Sequence, residues 1–384
     1  MLLTKSLEKC FNIEQLHQQA HKNLPLPVYD YMAGGADDEV SLSHNVNAFD
    51  QYQIIPKCLT NVTDINTHSH ILGCDMSAPF FISPVGQQRM FHADADIAGA
   101  KAAEKQDILF TLSTFSSKTI EEVASSSYGN KMFQVYVVTD PQLNEEIMQR
   151  AKAAKYQAMC LTVDTVVGGN RERDIKNGLT IPMNLSLKSL LEFAKHPLWV
   201  KNYFMSGGKD LVNLNAAPST GDTESFLKYM GNLLERNLTW DHAAKMIKQW
   251  DGPFAIKGIM SVDDAVKAKH IGASAIMISN HGGRQLDCTP APIEMVADIR
   301  AAVGPDIELI VDGGIRRGSD IFKAIALGAN AVSLGRAYAY GLAAGGQAGA
   351  EKAICILITE LVRTMALAGC QSLKDINTSM IRKR

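Results

Sequence analysis

The sequence predicts an α/β protein, a single (β/α)8 TIM barrel with an N-terminal helical cover and a long insertion after the fourth strand. Three observations lead there. Eight short, apolar, strand-like runs occur in order, most are followed by a segment of helical periodicity, and the runs recur at about 22 to 33 residues, the length of a strand, a crossover helix and two short loops. A chain of 384 residues suits one such unit with additions, and 46% hydrophobic with 20% charged residues is the balance of an ordinary globular protein.

The runs are PFFISP (Pro79–Pro84), ILFTLS (Ile108–Ser113), MFQVYV (Met132–Val137), AMCLTVD (Ala158–Asp164), FAIKG (Phe254–Gly258), AIMISN (Ala275–Asn280), ELIVDGG (Glu308–Gly314) and AVSLGR (Ala331–Arg336). Runs apolar on both faces fit parallel strands covered by helices. ADIAGAKAAEKQ after the first run and VDDAVKAKHIGA after the fifth carry the alternating helical pattern. One gap breaks the rule: about 90 residues separate the fourth run from the fifth, far beyond an ordinary loop. The chain 1–384 is therefore expected to form one domain in which 1–75 cover the barrel and about 178–238 form a lid or partner surface.

Within the insertion, Ile181–Leu214 and the cluster NLNAAPSTGDT read as partly mobile, before LTWDHAAKMIKQW resumes as a helix capped by Thr239 or Asp241. The stretch Leu187–Phe204 mixes Leu, Trp, Tyr and Phe with Lys and His. It reads as an amphipathic lid helix, with an interfacial membrane segment as the alternative.

Composition removes several classes of function. A formal net charge of −2 without a long basic run speaks against nucleic acid as partner. Seven scattered cysteines without a CxxC pair indicate neither a disulfide framework nor a zinc site, so no metal is expected and a reducing compartment fits. The N-terminal residues lack the pattern of a signal peptide, and no window approaches the roughly 18 apolar residues of a membrane span. The expected location is the cytoplasm.

In such barrels the active site lies at the C-terminal ends of the strands. Here a polar or glycine residue stands at each one: Gly86; Ser113; Gln134 with Tyr136; Thr162 with Asp164; Lys257; Ser279 with His281 and Arg284; Asp312 with Arg316; Gly335 with Arg336. The seventh and eighth loops, VDGGIRRGSD and LGR, supply glycines for close backbone approach, Arg316 and Arg317 for charge, and a helix N-terminus, which together point to a phosphate-bearing cofactor. In SNHGGRQLD (Ser279–Asp287), His281 can accept a proton near neutral pH and Arg284 can fork a carboxylate. Arg171 in GGNRERD adds a second cation, and two arginines in one pocket imply a bound anion such as a substrate carboxylate. Asp164 can orient His281 and stabilise its protonated form. Lys257 has two readings, a counter-charge for a reduced ring cofactor or a Schiff-base lysine.

These residues resemble a known family, the FMN-dependent L-2-hydroxy acid oxidases and dehydrogenases. SNHGGRQLD is similar to its signature, and YDYMAGGADDE, SPVGQQRM, TLSTFSS, FQVYV, LTVDTVVGGNRERD, IKGI, VDGGIRRGSD and LGRAYAYGLA resemble its other blocks in order. The resemblance implies His281 as base with Asp164 behind it, Arg171 and Arg284 on the substrate carboxylate, and Tyr31 and Tyr136 against the substrate. For FMN it implies Pro84, Val85 and Gly86 at the ring edge, Ser113, Gln134 and Thr162 on the ring, Lys257 at its N1 and O2 side, and Ser279 nearby. Asp312, Gly313, Gly314, Ile315, Arg316, Gly335 and Arg336 would take the ribityl chain and phosphate.

The resemblance further implies oxidation of a small 2-hydroxy acid to the 2-oxo acid, with L-lactate the first choice and mandelate or another aryl acid the second. Phe115 stands where glycolate oxidase has tryptophan, and Gly168 where it has leucine, which implies a roomier pocket. Gly86 stands where resembling dehydrogenases carry glycine and oxidases alanine, which favours a quinone or similar acceptor over oxygen. Similarity of HPLWVKNYF to the membrane-attaching part of mandelate dehydrogenase implies peripheral contact with the inner face of the cell membrane, and the family implies a homotetramer. The competing readings are a Schiff-base lyase using Lys257 and a non-catalytic barrel serving as a binding module.

Overall fold

The computed structural model describes residues 6–179, 186–206, 211–214 and 233–384. Eight strands, β1 (Phe80–Ile82), β2 (Phe110–Ser113), β3 (Lys131–Val135), β4 (Ala158–Thr162), β5 (Phe254–Ile259), β6 (Ala275–Ser279), β7 (Glu308–Asp312) and β8 (Ala331–Leu334), fall one to each expected run. Each pairs in parallel with the next, and β8 closes on β1. The ring is a closed barrel.

Side chains alternate across each strand, so the barrel has two apolar clusters. Outward residues such as Phe80, Ile82, Phe133, Leu161, Ile256 and Val311 pack under the helices. Inward residues Phe81, Met132, Cys160, Ala255, Met277, Ile310 and Ala331 fill the lower lumen. One step of two residues further along, the inward positions turn polar: Ser83, Ser113, Gln134, Thr162, Lys257, Ser279, Asp312 and Ser333 are all buried. Strand register sets them side by side, with Ser113 opposite Gln134, Thr162 opposite Lys257, and Asp312 flanked by Ser279 and Ser333. The lumen is thus apolar below and hydrogen-bonding above.

The hairpin Ser69–Ile71 and Cys74–Met76 plugs the bottom, turning through Leu72 and Gly73 at φ 50° and 74°. The Leu72 N–H donates to the Glu308 carboxylate at 2.8 Å. Helices Ile13–Asn23, Leu26–Ala33 and Val40–Asn47 are the main helices of the N-terminal segment. A further ribbon, Tyr52–Ile54 against Ile381–Lys383, joins that segment to the C-terminus and had no clear sequence signal. The 33-residue helix Arg336–Ala368 kinks at Gly345 and Gly346, the latter at φ 61°, and Asn23 Nδ2 donates to the carbonyls of Ala343 and Ala344 there.

In the insertion, the single lid helix expected over Leu187–Phe204 is two helices, Leu187–Ala194 and Pro197–Met205. Pro197 cannot continue a helix but is well suited to begin one. Trp199 Nε1 donates to the Met90 carbonyl at 2.8 Å, and the Arg89 guanidinium lies 4.2 Å above the Tyr203 ring, so the second helix is fastened to the loop after β1. The remainder of the stretch read as mobile, 181–185, 207–210 and 215–223, lies outside the described residues. Past it, Thr239 caps helix Trp240–Trp250 and its N–H donates to His242 Nδ1 at 3.2 Å; Asp241 sits in the first turn.

Because Phe81 is fully buried in the lower lumen, Phe81→Ala is expected to destabilise the fold by about 3–5 kcal/mol in urea unfolding. Phe11→Ala, at an exposed site, serves as the control and is expected to change stability by less than about 0.5 kcal/mol. Equal effects from the two changes would contradict the lumen packing.

Candidate active site

One cleft opens over the C-terminal ends of the strands, enclosing about 1310 Å³ when its open mouth is included. Tyr31, Pro84, Val85, Gly86, Ser113, Tyr136, Arg171, Lys257, His281, Arg284, Asp312 to Arg316, Gly335 and Arg336 line it. Gln134, Thr162, Ser279 and Asp164 are buried just behind that lining. The structure therefore brings together the residues singled out from the sequence, with the exception of Arg317.

His281 follows β6 in a left-handed conformation, φ 57°, which a non-glycine residue adopts only when its surroundings hold it there. Its N–H donates to Ser279 Oγ at 3.1 Å, and its Nδ1 lies 2.8 Å from Asp164 Oδ1. An ionised carboxylate only accepts, so Nδ1 carries the proton and Nε2 is left as the basic nitrogen. Burial lowers the imidazole from its ordinary value; Asp164 works the other way, and Lys257 and Arg171 add to the lowering. Burial alone would raise the Asp164 carboxyl, but the charges of His281 and Lys257 hold it well below the usual carboxylate range. At neutral pH the pair is a neutral imidazole against a carboxylate.

Lys257 is buried between two carboxylates, its Nζ 3.1 Å from Asp312 and 3.7 Å from Asp164. Burial would lower the ammonium, yet the two acids raise it above the ordinary lysine value. A Schiff-base lysine needs the opposite, a depressed value that frees the amine, so the lyase reading loses its nucleophile.

Four arginines share the cleft. Arg284 donates to the carbonyls of Tyr31 at 2.7 Å and Gly34 at 3.0 Å. Arg336 donates to those of Gly282 at 2.8 Å and Gly34 at 2.7 Å, bracing the N-terminal segment against the loop after β6. Among the described residues, the Arg171 guanidinium is held by long contacts, 3.4 Å to the Arg284 carbonyl and 3.5 Å to Gln285. Arg316 lies 5.6 Å from the Tyr340 ring. Burial, then Arg171, lowers Arg284 to about 10; burial, then Arg284 and Arg316, lowers Arg336 to about 9. Cations that depress one another in this way mark a site for anions.

The expected phosphate site needs one correction. The helix Gly318–Ala326 does not offer a free N-terminus: Asp320 accepts from the N–H groups of Arg316 and Arg317 at 2.9 Å, and Glu360 accepts from Gly318 at 2.8 Å. Arg317 is half exposed and paired with Glu360 at 3.1 Å, away from the cleft. The available terminus is that of helix Arg336–Ala368, where Gly335 has open space where a side chain would stand and no side chain caps the backbone.

Sequence reasoning passed over Ser83 and Ser333, which line the cleft and bond Asp312. The two-residue alternation along β1 and β8 was the signal that would have found them. It also passed over Gln285, whose side chain holds the loop after β4 through the carbonyls of Asp164 and Val167 and the Gly169 N–H.

The model of the FMN-dependent dehydrogenase family matches residues 20–383. A 2-hydroxyacid oxidase of Dictyostelium discoideum is 38% identical over 379 residues, 98% of this chain and 92% of the relative. Glycolate oxidase of Spinacia oleracea is 38% identical over 370 residues, 96% and 95% of the two chains. A crystal structure of the monotopic membrane protein (S)-mandelate dehydrogenase superposes with TM-score 0.92 at 35% identity, covering 98% of this chain and all of the other. The chain belongs to the FMN-dependent dehydrogenases and is an oxidoreductase of the 2-hydroxy acid oxidase and dehydrogenase family, with FMN as cofactor. The residues present fit that group. Gln134 Nε2 and Thr162 Oγ1 are buried without hydrogen-bond partners at the upper lumen, as a heteroaromatic edge would require, and the arginine-lined end beside Gly335 suits a phosphate.

The lowered imidazole sets the pH dependence. The neutral form is the base, so kcat/KM is expected to fall on the acid side only below the ordinary histidine value of about 6.5. Asp164→Asn removes an influence that raises His281, so it should move that limb to still lower pH while reducing the plateau by about 10² or more through loss of the fixed tautomer. A limb that moves upward would contradict the assignment.

Proposed function

We propose that this enzyme oxidises a small L-2-hydroxy acid, L-lactate first among candidates, to the 2-oxo acid, with His281 as base. The observation that carries the reading is a basic Nε2 and two arginines, Arg171 and Arg284, lining one cleft. The arginines bind the substrate carboxylate and orient the α-carbon toward the cofactor side. Tyr31 and Tyr136 flank the substrate, and Asp164 stabilises the imidazolium once His281 has taken the hydroxyl proton. Bound FMN supplies the two-electron acceptor for the α-hydrogen. Pro84, Val85, Gly86, Ser113, Gln134 and Thr162 would hold its ring, with Lys257 as counter-charge and Ser279 behind it, Asp312 to Ile315 would take its ribityl chain, and Arg316, Gly335 and Arg336 its phosphate end.

An aryl hydroxy acid is the second reading, and a specific observation favours keeping it. Gly168 adds no side chain to the cleft wall, and Phe115 lies stacked on Tyr136 with ring centroids 4.6 Å apart, leaving an apolar face with Val85, Phe91 and Leu234. For reoxidation, a quinone is the proposed acceptor. It would be met at a membrane surface by the insertion, where Leu198 and Phe204 are 75% and 76% exposed and Leu187, Leu191 and Met205 are exposed beside them. No described helix is long and apolar enough to cross a membrane, so that contact would be peripheral.

Comparison of kcat/KM for glycolate, L-lactate and L-mandelate tests the substrate; a clear preference for glycolate contradicts the roomier pocket. His281→Gln is expected to keep the yellow colour while slowing flavin reduction by about 10² to 10⁴, and undiminished reduction would sink the base assignment. Wild-type protein should sediment with anionic phospholipid vesicles, and Leu198→Glu with Phe204→Glu should release it; equal sedimentation of the two forms would remove the membrane reading.

A further inference from the structure

Asp312 carries more hydrogen bonds than an ordinary ligand-facing acid. Ser83 Oγ donates to its Oδ1 at 2.5 Å and Ser333 Oγ to the same oxygen at 2.6 Å. Ser279 Oγ donates to Oδ2 at 2.7 Å, and Lys257 Nζ lies 3.1 Å from that oxygen. A carboxylate offers about four lone-pair sites; the three hydroxyls take three of them, and the Lys257 ammonium stands against Oδ2 as an ion pair. Ser279 in turn accepts from Lys257 Nζ at 3.1 Å and from the His281 N–H at 3.1 Å. All three serines and Lys257 are almost wholly buried.

The arrangement has an electrostatic consequence. With His281 neutral, the group of Lys257, Asp164 and Asp312, taken apart from the arginines of the cleft, holds one buried cation against two buried anions, a local net negative charge that would oppose the negative charge a flavin gains on reduction. Hydroxyl dipoles aimed at Asp312 are what spread that charge, and they also limit how far Lys257 is drawn from Asp164 toward Asp312. Neither Ser83 nor Ser333 is needed to fold the strand ends, since the strand ladder there runs through backbone groups.

We propose that Ser83 and Ser333 are positioning residues that clamp Asp312, fix Lys257 between the two acids, and thereby set how readily the flavin is reduced. The inference rests on FMN occupying this cleft. Removing either hydroxyl leaves Asp312 less shielded and lets it pull Lys257 away from the cofactor side, so the reduced flavin becomes harder to form.

The test is the midpoint potential of the FMN-loaded protein, measured anaerobically against redox dyes, for the wild type, Ser83→Ala, Ser333→Ala and Ser333→Thr. Each alanine variant is expected to hold FMN and to shift the reduction equilibrium against the reduced form by about tenfold, about 30 mV downward for a two-electron couple. The threonine variant, which keeps a hydroxyl, is expected to return toward the wild-type potential. Potentials that stay unchanged or rise in both alanine variants overturn the proposal, as does loss of FMN from both, which would make the hydroxyls direct cofactor ligands. The parent reading is judged separately, by whether the wild type holds FMN and is reduced by a hydroxy acid at all.

Discussion

A lysine ammonium placed in a closed barrel lumen would ordinarily lose its proton, because taking an unpaired charge out of water costs several kcal/mol. Lys257 keeps its charge because Asp164 and Asp312 stand on either side of it, at 3.7 Å and 3.1 Å. The same three groups connect both ends of the cleft. Asp164 reaches His281 on one side, while Asp312 reaches the serines at the ends of β1, β6 and β8 on the other. Removing Lys257 would leave two buried carboxylates without their shared cation, so base, counter-charge and cofactor floor are tied together through it.

The barrel makes this possible by parity. Inward side chains recur every second residue, so a strand that is apolar in the lower lumen can end in a hydrogen-bonding residue without any change of direction. Parallel register then lays those ends in a ring, and loops beyond the ring add the arginines. The arginines have no such internal balance. They depress one another and lean on backbone carbonyls, which leaves their net attraction for anions available to a carboxylate near His281 and a phosphate near Gly335.

Much of this was legible in the residues. The eight strands were readable because each is a short, mainly apolar run between turn residues, and the strand-end polar residues could be aligned once the barrel was assumed. Ser83 and Ser333 were passed over because a serine one or two residues before a proline or glycine looks like turn punctuation until its parity is counted. The phosphate loop misled for a different reason: charge and glycine content are visible in VDGGIRRGSD, but its own last residue, Asp320, captures the amides of Arg316 and Arg317, and Glu360, on a helix far along the chain, captures that of Gly318. The ribbon joining Tyr52–Ile54 to Ile381–Lys383 is likewise a pairing of distant three-residue segments, too short to carry periodicity. Pro197, by contrast, announced the break between the two insertion helices and was read past.

The measurement that bears most directly on the whole account is the anaerobic visible spectrum of the purified, FMN-loaded protein before and after L-lactate is added. Flavin bands that bleach at once, with pyruvate formed in equal amount, are the predicted result. Bands that persist with L-lactate, L-mandelate and glycolate alike would contradict the assignment of this cleft to 2-hydroxy acid oxidation.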